Sequence, residues 1–410
     1  MHKSILGRML TAGGAAVALA GCATVPPATD ADYGDYDPPA KSDGAGAIGL
    51  FPILDENAGR EANVVLSPVS IDLAFGLLHE GARGETKAQI ERLIPPPSDP
   101  MGFESNTDYV ELAISNALFL DREFRFRKEY VAETRKKYEA EAITVDFSAK
   151  QAASDTINGW ADKATEGLIQ QVISPEAIDL STIAILANAL YFEGLWETKL
   201  GETSQHPFLF GTGSEKPFKF VGETFETPHA KGDGWEAVRL PYRNERYAMD
   251  IIMPARREVM AAAPSLTRIE QLKLALDESE GRLVQVEIPQ FETDFAEGIK
   301  RPLIGLGLTL PFDPVNADLF GMVEPGQKPV SVSEVRHVTK LQVYDEGTKA
   351  AAVTTISIVV TGGRLVRGNP IQFRADRPFV IVLRDLQRDV ILFIGRIADP
   401  QPFEPTRTDP

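Results

Sequence analysis

The sequence predicts a single domain of the α+β class. Apolar residues recur at helical spacing in residues 67–78, which predicts an amphipathic helix. By contrast, residues 182–192 and 380–394 contain short, strongly apolar runs that favour buried strands. The 410 residues have a hydrophobic content of 43%, enough for a large core, and no Pro-, Gly- or Ser-rich linker interrupts the interior.

The first predicted helix covers residues 44–57. Its opening residues 44–49 match the G-x-G-x-x-G pattern of dinucleotide-binding proteins. That pattern requires a preceding strand and a following βαβ unit, and the sequence predicts neither, so we reject a nucleotide site.

A second helix is predicted to begin at Ser67 and Pro68, because serine is a good N-cap and proline suits the first helical turn. His79 and Glu80 resemble the start of a zinc-protease helix, but Arg83 stands where the second histidine is required, so no metal site is expected. Two further helices are predicted, a short one over residues 85–93 and a long one over residues 152–172.

Strands are predicted from runs of apolar and β-branched residues. One hairpin is expected to turn near Asn244, and a core hairpin is expected around residues 385–389. A helix is expected over residues 299–306. The predicted strand segments are 112–120, 182–192, 238–254 (a hairpin), 284–291, 380–383 and 390–394.

Residues 122–137 are rich in lysine and arginine, which raises the question of a polyanion site. Three glutamates interrupt the run, at positions 123, 129 and 133, and Glu139 follows it. A solvated helix face is therefore the better interpretation.

The N-terminus predicts a bacterial lipoprotein signal peptide over residues 1–21. Lys3 and Arg8 form a basic start, a short apolar run follows, and small residues precede Cys22, the only cysteine. We expect cleavage before Cys22 and lipid on its thiol, followed by a flexible tether over residues 22–44. The protein is then exported and lipid-anchored to the bacterial envelope, on its periplasmic or cell-surface side.

Loss of residues 1–21 would remove Lys3 and Arg8 and no acidic residue, so the net charge would change from −17 to −19. A surface this acidic repels nucleic acid and anionic lipid head groups. We therefore expect no nucleic-acid partner, and membrane attachment only through the lipid on Cys22.

The most unusual stretch is residues 345–361. Asp345 to Thr348 predicts a turn in which Gly347 is free to take positive φ. Residues 350–361 carry no charge and become β-branched, which favours a strand. In a strand, the even-numbered residues from Thr348 onward would form one charge-free face, which could be buried. Gly362 to Pro370 then predicts an exposed loop.

Five motifs in order resemble the serpin family of serine protease inhibitors. They are NVVLSPVSI (63–71), NALYFEGLW (188–196), FDPVNADLF (312–320), SVSEVRH (331–337), and the pair FRADRPF (373–379) with ILFIGRI (391–397). The resemblance covers residues 45–403 as one domain and leaves residues 404–410 as a tail. It implies the serpin fold, with three β-sheets, a bundle of helices and an exposed reactive-centre loop.

The resemblance also implies a function without catalysis by the chain itself. A target serine protease, or alternatively a cysteine protease, cuts the loop, which then inserts into the main sheet as a new strand and traps the acyl-enzyme. The implied hinge consists of Glu346, Gly347, Thr348, Ala350, Ala351 and Ala352. Its small, uncharged alanines favour inhibition; the alternative is a non-inhibitory serpin that acts as an envelope-tethered binding or structural protein.

The scissile bond is predicted in two ways that disagree. Counting from Gly347 places it at Thr361–Gly362, which would suit an elastase- or subtilisin-like protease. Counting back from Phe373 places it at Arg364–Leu365, which would suit a trypsin-like one, and Arg367–Gly368 is third. We give more weight to the count from Gly347, because the inserted length decides where the protease ends up.

The resemblance further implies a polar cluster beneath the main sheet, formed by Ser67, Ser70, Asn188 and His337. Trp196 lies at the position where the family has a tryptophan near the top of that sheet. No Gly-x-Ser-x-Gly or His-Glu-x-x-His motif is present, so a hydrolase is not expected. No cofactor and no metal are expected, and we expect a monomer.

Overall fold

The structure is a computed structural model that describes residues 46–100, 105–179, 181–258, 260, 262–349 and 369–403. The predicted α+β class is confirmed. Short 3-10 turns lie at Gly46–Gly49, Pro175–Ala177 and Leu310–Phe312. The α-helices of the described residues are α1 (Leu50–Ala58), α2 (Pro68–Gly81), α3 (Gly84–Leu93), α4 (Lys128–Tyr138), α5 (Lys150–Ala164), α6 (Leu266–Asp277) and α7 (Lys300–Gly305).

The strands are short in the first half of the chain except for two long ones, β3 and β5. They are β1 (Val64–Leu66), β2 (Ser105–Asn106), β3 (Val110–Asp121), β4 (Glu141–Val145), β5 (Ala184–Leu195), β6 (Gly201–Glu202), β7 (His206–Leu209), β8 (Glu215–Phe218), β9 (Phe220–Thr227) and β10 (His229–Gly232). The second half contributes β11 (Trp235–Pro241), β12 (Tyr247–Pro254), β13 (Arg282–Pro289), β14 (Phe291–Gly298), β15 (Glu334–Val343), β16 (Gly347–Lys349), β17 (Ile371–Arg374), β18 (Phe379–Asp385), β19 (Val390–Ile397) and β20 (Gln401–Pro402).

These strands form three larger sheets and one two-stranded sheet, β7–β8. The main sheet has the order β2-β3-β5-β16-β15-β14-β20, with β4 paired to β3. A second sheet has the order β17-β13-β9-β6, and a third has the order β1-β19-β18-β12-β11-β10. The predicted core hairpin is β18–β19, in the centre of the third sheet.

The two faces of the main sheet pack against different apolar layers. Alternate residues such as Leu186, Leu190 and Phe192 of β5 belong to the large core that the main sheet shares with the third sheet. The intervening positions, including Ala187 and Ala189, pack under α5 in a smaller cluster. This alternation follows from the period of two in a strand, and it defines a core face and an α5 face of the main sheet.

Local sequence explains how the helix before this core begins. Ser67 caps α2, since its Oγ accepts a hydrogen bond from the Ser70 backbone N–H, and Pro68 occupies the first turn. The predicted start of this helix is confirmed. Of the described residues, no helix is long and apolar enough to cross a membrane.

Several elements differ from the prediction, which contained no strand at β1, β2, β4, β6–β10, β15, β17 or β20. The helix expected over residues 152–172 ends at Ala164, because Glu166 and Gly167 take positive φ and Asn158 Oδ1 accepts the backbone N–H groups of Val172 and Ile173. The strand β14 was not predicted between β13 and α7. Its alternating residues pair along their whole length with β15, a partner that lies about forty residues away in the chain.

Candidate functional site

The site is a partial separation between two central strands of the main sheet. Strands β5 and β15 pair in parallel only from Ile185–Glu334 to Ala189–Val338. Beyond Ala189 and Val338 they are not paired with each other, and β16 lies between the C-terminal ends of the two strands. The segment that begins the predicted hinge is therefore already a short strand of the main sheet.

The register of β16 is defined on both sides. Gly347 and Thr348 lie opposite Leu195 and Gly194 of β5, antiparallel. On the other side Thr348 lies opposite Val343 of β15, and Lys349 lies opposite Gln342. The turn predicted at Asp345–Thr348 reverses the chain so that β16 runs back along β15.

Gly347 is required here for a reason that differs from the predicted one. It is not among the described glycines with positive φ. Instead, a Cβ at this position would lie 2.0 Å from the carbonyl oxygen of Gly194, closer than any side chain can approach. The requirement for glycine is therefore steric: it lets β16 approach β5.

Three side chains anchor the start of β16. The Trp196 indole N–H donates to the Tyr344 carbonyl oxygen at 3.0 Å, and the Trp196 backbone N–H donates to the Glu346 carbonyl oxygen at 2.9 Å. The Trp196 ring stacks on Tyr242 with 4.5 Å between centroids. The Tyr242 hydroxyl is hydrogen-bonded to the Thr348 hydroxyl at 2.7 Å, and the Thr348 side chain is fully buried.

Tyr242 was not identified from the sequence. It follows β11 near the turn of the predicted hairpin, and nothing local distinguishes it from other core aromatics. Burial raises the pKa of its phenol strongly, so it remains a neutral hydrogen-bonding group.

An ion pair holds the turn that leads into β16. Lys199 Nζ lies 2.6 Å from a Glu346 carboxylate oxygen and 3.6 Å from one of Asp345. Asp345 is buried, whereas the Lys199 side chain is 52% exposed. Glu346, predicted as a hinge residue, therefore lies in the turn outside the sheet, whereas Gly347 and Thr348 lie within it.

The predicted polar cluster comes together where β5 and β15 are still paired. Asn188 and His337 lie opposite each other in the parallel ladder. His337 Nε2 accepts the Ser67 backbone N–H at 3.1 Å, and Asn188 Nδ2 donates to the Ser70 carbonyl oxygen at 3.0 Å. The Ser70 hydroxyl in turn donates to the Ser67 carbonyl oxygen. The N-terminus of α2 is thus bonded to both central strands.

One member of this cluster was missed. Asn116 of β3 lies opposite Asn188, and its Oδ1 accepts the Asn188 amide at 2.7 Å. The row Asn116–Asn188–His337 therefore crosses three strands of the main sheet. Alternate residues of β3 face the core, and Asn116 is one of them. This alternation is the only sequence feature that could have indicated Asn116.

The cluster is not fully satisfied. His337 Nδ1 and Asn188 Oδ1 are both buried and have no hydrogen-bond partner among the described residues. Burial lowers the pKa of His337 to about 3, so the imidazole is neutral at physiological pH. A buried polar atom without a hydrogen bond costs free energy, so these two atoms weaken the junction of β5 and β15 relative to a fully bonded one.

The remaining predicted site residues lie outside the described residues. They are Cys22, Ala350, Ala351, Ala352, Thr361, Gly362, Arg364 and Leu365. Their roles remain predictions.

Comparison with known proteins is consistent with this geometry. The serpin family model (serine protease inhibitor) matches residues 45–400. Leukocyte elastase inhibitor of Bos taurus is 32% identical over 377 residues, which are 86% of this chain and 97% of that protein. Antithrombin-III of Ovis aries is 30% identical over 375 residues, which are 86% of this chain and 80% of that protein.

Solved structures have the same fold. Native protease nexin-1 with heparin has a TM-score of 0.75 at 24% identity, and the match covers 86% of this chain and 97% of that chain. The thermophilic serpin Tengpin in its native state has a TM-score of 0.70 at 23% identity, with 86% and 92% covered. The motifs, the sheet topology and these comparisons together show that the chain belongs to the serpin family.

Proposed function

We propose that this protein is a suicide-substrate inhibitor of serine endopeptidases. A protease cleaves the reactive-centre loop, and the loop inserts between β5 and β15 while the acyl-enzyme is still intact. The observation that supports this proposal is the position of β16 between β5 and β15, because its two ladders would set the register of a longer inserted strand.

If the inserted strand continued that register, the predicted hinge residues would have suitable neighbours. Thr348 faces the core, so Ala350 and Ala352 would face it as well. Ala350 would fall opposite Phe192 and Leu341, both large and buried. A small side chain fits between these neighbours, and a charged one would be costly to bury.

If the inserted strand kept this register, Thr354 would lie between Asn188 and His337. Its hydroxyl could donate one hydrogen bond and accept others. The two unpaired atoms, Asn188 Oδ1 and His337 Nδ1, are therefore the ones that an inserted Thr354 would satisfy. Insertion would replace the five parallel pairs between β5 and β15 by antiparallel ladders on both sides of the new strand.

Strand length supports cleavage at Thr361–Gly362. By the same register, Ile358 would lie opposite Ala184 and Ser357 opposite Glu334, the first residues of β5 and β15. Thr361 would then emerge just beyond the end of the sheet. Residues 347–361 span roughly 50 Å in extended conformation, enough to carry a bound protease to the opposite end of the sheet.

The proposed partner follows from the residues at this bond. Thr361 after Val359 and Val360 would suit an elastase- or subtilisin-like protease. Cleavage at Arg364–Leu365 would instead indicate a trypsin-like target. The inserted strand would add about ten backbone hydrogen bonds at about 0.5–1.5 kcal/mol net each.

We further propose that the protein acts as a monomer on the bacterial envelope, held by lipid on Cys22. The support is the sequence of residues 1–22, with its basic start, its apolar run and small residues before the single cysteine. Labelling with radioactive palmitate would test this, with Cys22→Ser as the unlabelled control.

The proposed inhibition is tested by mixing the protein with elastase-, subtilisin- and trypsin-like proteases. A covalent complex that survives SDS electrophoresis is expected with at least one of them. Clean loop cleavage with the protease still fully active would overturn inhibition and favour the non-inhibitory binding protein. N-terminal sequencing of the released fragment identifies the cleaved bond.

A further inference from the structure

The outer side of α4 carries basic side chains around an open apolar groove. The groove has a volume of about 500 Å³ and is lined by Phe126, Lys128, Val131, Ala132, Arg135 and Lys136. Its three groove cations (Lys128, Arg135 and Lys136) and Ala132 are exposed, whereas Phe126 and Val131 are half-buried and pack against the core. The groove therefore combines an apolar floor with a positively charged rim.

The helical period of α4 explains why this side faces solvent. Tyr130, Thr134 and Tyr138 are buried and form the side of α4 that packs against the protein. A rotation of about 100° per residue puts Lys128 and Arg135 on the opposite side of the helix. The groove cations are therefore directed away from the core.

The glutamates that interrupt the basic run in the sequence lie elsewhere in the structure. Glu129 and Glu133 follow each other on a third side of α4, and Glu133 lies 3.0 Å from Lys137 Nζ. Glu123 pairs with Lys328 at 3.7 Å. Among the residues that the structure describes, none forms an ion pair with a groove cation. The charge of the groove is therefore not cancelled by its neighbours.

Backbone contacts fix the entrance to α4 and with it one wall of the groove. Phe126 forms an antiparallel bridge with Val323, and the Arg127 backbone N–H donates to the Met322 carbonyl oxygen at 2.9 Å. The Phe126 ring stacks on Tyr130 with 6.0 Å between centroids. The groove is thus formed by ordered elements and is present before any ligand binds.

The described chain begins close to this helix. The Ala47 backbone N–H donates to Asp72 Oδ1 of α2 at 2.9 Å. One turn further along α2, Gly76 packs against the Tyr138 ring of α4, which lies 2.5 Å from where a Cβ would stand. A chain anchored at Cys22 would therefore enter the domain beside α4, and this part of the surface would be close to the bilayer.

The chemistry of the groove fits an anionic lipid surface. Lipid phosphates pair with lysine and arginine, and the layer beneath them accepts apolar side chains. A soluble polyanion would use the cations but would leave the apolar floor in water. The net charge of −17 repels an anionic surface at long range. Physiological salt screens charges beyond about 8 Å, so at contact the local cations determine the sign of the interaction.

We propose that the α4 groove is a docking surface for a bilayer that contains anionic lipids, with the groove cations on the phosphates and the apolar floor against the layer beneath. This surface adds a second contact to the lipid proposed at Cys22 and would orient the domain on the envelope. The inference goes beyond the proposed inhibition, because binding to lipid requires neither the loop nor a protease.

The test is co-sedimentation with vesicles, using the full chain with Cys22→Ser so that no lipid anchor contributes. This protein should bind vesicles of phosphatidylcholine mixed with phosphatidylglycerol more tightly than vesicles of phosphatidylcholine alone. The triple variant Lys128→Gln, Arg135→Gln and Lys136→Gln should lower the affinity for the mixed vesicles roughly 100-fold, at about fivefold for each cation.

A matched control removes the same charge from other elements. It carries Lys163→Gln, Arg256→Gln and Arg282→Gln, all at exposed positions. This variant should bind the mixed vesicles nearly as tightly as its parent. The difference between the two triple variants should largely vanish in 1 M NaCl, where the Debye length falls to about 3 Å.

A tryptophan in the groove distinguishes a bilayer from a soluble polyanion. Ala132 is exposed, so Ala132→Trp leaves the core intact. Its fluorescence emission should shift to shorter wavelength on mixed vesicles, because the ring enters the membrane interface. Leu274→Trp on α6, at a side chain that is 49% exposed, is the control and should show no shift. Heparin should shift neither.

Equal affinity of the two triple variants for mixed vesicles, or no preference of their parent for phosphatidylglycerol, would overturn the inference. Heparin binding that depends on the groove cations, without an emission shift of Ala132→Trp on vesicles, would assign the groove to a soluble polyanion instead. No protease takes part in these measurements, so a failure of lipid docking is distinguished from a failure of inhibition.

Discussion

The hydroxyl groups of Tyr242 and Thr348 are hydrogen-bonded at 2.7 Å although 106 positions separate the two residues in the chain. This bond joins the turn after β11 to Thr348 of β16. It is one of several contacts that attach β16, and single substitutions can change its strength.

Tyr242→Phe should lower the free energy of unfolding by about 1–2 kcal/mol, because the buried Thr348 hydroxyl loses its partner. Urea denaturation of the uncleaved protein measures the change. Tyr109→Phe is the control, since Tyr109 is 44% exposed. Equal stability of the two variants would show that the bond does not hold the hinge.

Gly347→Ala should displace β16 from β5, because the new Cβ would lie 2.0 Å from the Gly194 carbonyl oxygen. We expect a loss of about 1–3 kcal/mol and faster amide hydrogen exchange in residues 345–348. Gly232→Ala is the matched control, since a Cβ there meets no atom within 4 Å. Unchanged exchange in Gly347→Ala would contradict the observed close approach.

The stability of the uncleaved protein should fall in acid partly because of His337. Its pKa is about 6.5 in the unfolded state and about 3 in the folded state. Its contribution to the free energy of unfolding is therefore fully present above pH 6.5 and is lost as the pH falls towards 3. Between pH 7.5 and 5 the loss should be about 2 kcal/mol.

Urea denaturation at several pH values tests this prediction, with His337→Gln as the comparison. The variant should be less stable at pH 7.5, and its stability should depend less on pH below 6.5. Burial raises the pKa of Asp72 to about 7, and this carboxyl acts in the opposite direction in both proteins. The difference between the two pH profiles therefore isolates His337, and parallel profiles would argue against its burial as a neutral group.

Thr354→Val should leave the uncleaved protein unchanged but reduce the stability gained on nicking the loop. Without the hydroxyl, Asn188 Oδ1 and His337 Nδ1 would stay unpaired. A buried polar group without a hydrogen bond costs about 1–3 kcal/mol. Thr355→Val, at the neighbouring position of opposite parity, is the control. The melting temperatures of the uncleaved and the nicked protein measure the stability gained by each of the two variants. An equal gain in stability on nicking in both variants would show that Thr354 does not insert between Asn188 and His337.

Sequence alone predicted the elements whose causes are local. The start of α2 depends on Ser67 and Pro68 at adjacent positions, and the β18–β19 hairpin depends on two apolar runs around a polar turn. The end of α5 was missed because it depends on the Asn158 side chain bonding to residues 14 and 15 positions later. Strand β14 was missed because its pairing partner is distant in the chain.

The same distinction applies to the site. The sequence indicated Ser67, Ser70, Asn188, His337 and Trp196 as candidates because they lie within motifs that resemble those of the family. Asn116 and Tyr242 lie outside those motifs, and only the register of β3 with β5 and the stacking on Trp196 reveal them. The reason for glycine at position 347 could not be predicted either, because it depends on the distance to another strand.

The parallel pairing of β5 with β15 has a consequence for how the protein would be used. Once an antiparallel strand separates them, the original pairing cannot return while the inserted segment stays bonded on both sides. If the proposed function is correct, each molecule therefore acts once. The amount of protease that can be blocked at the envelope would then be limited by the number of copies made and anchored there.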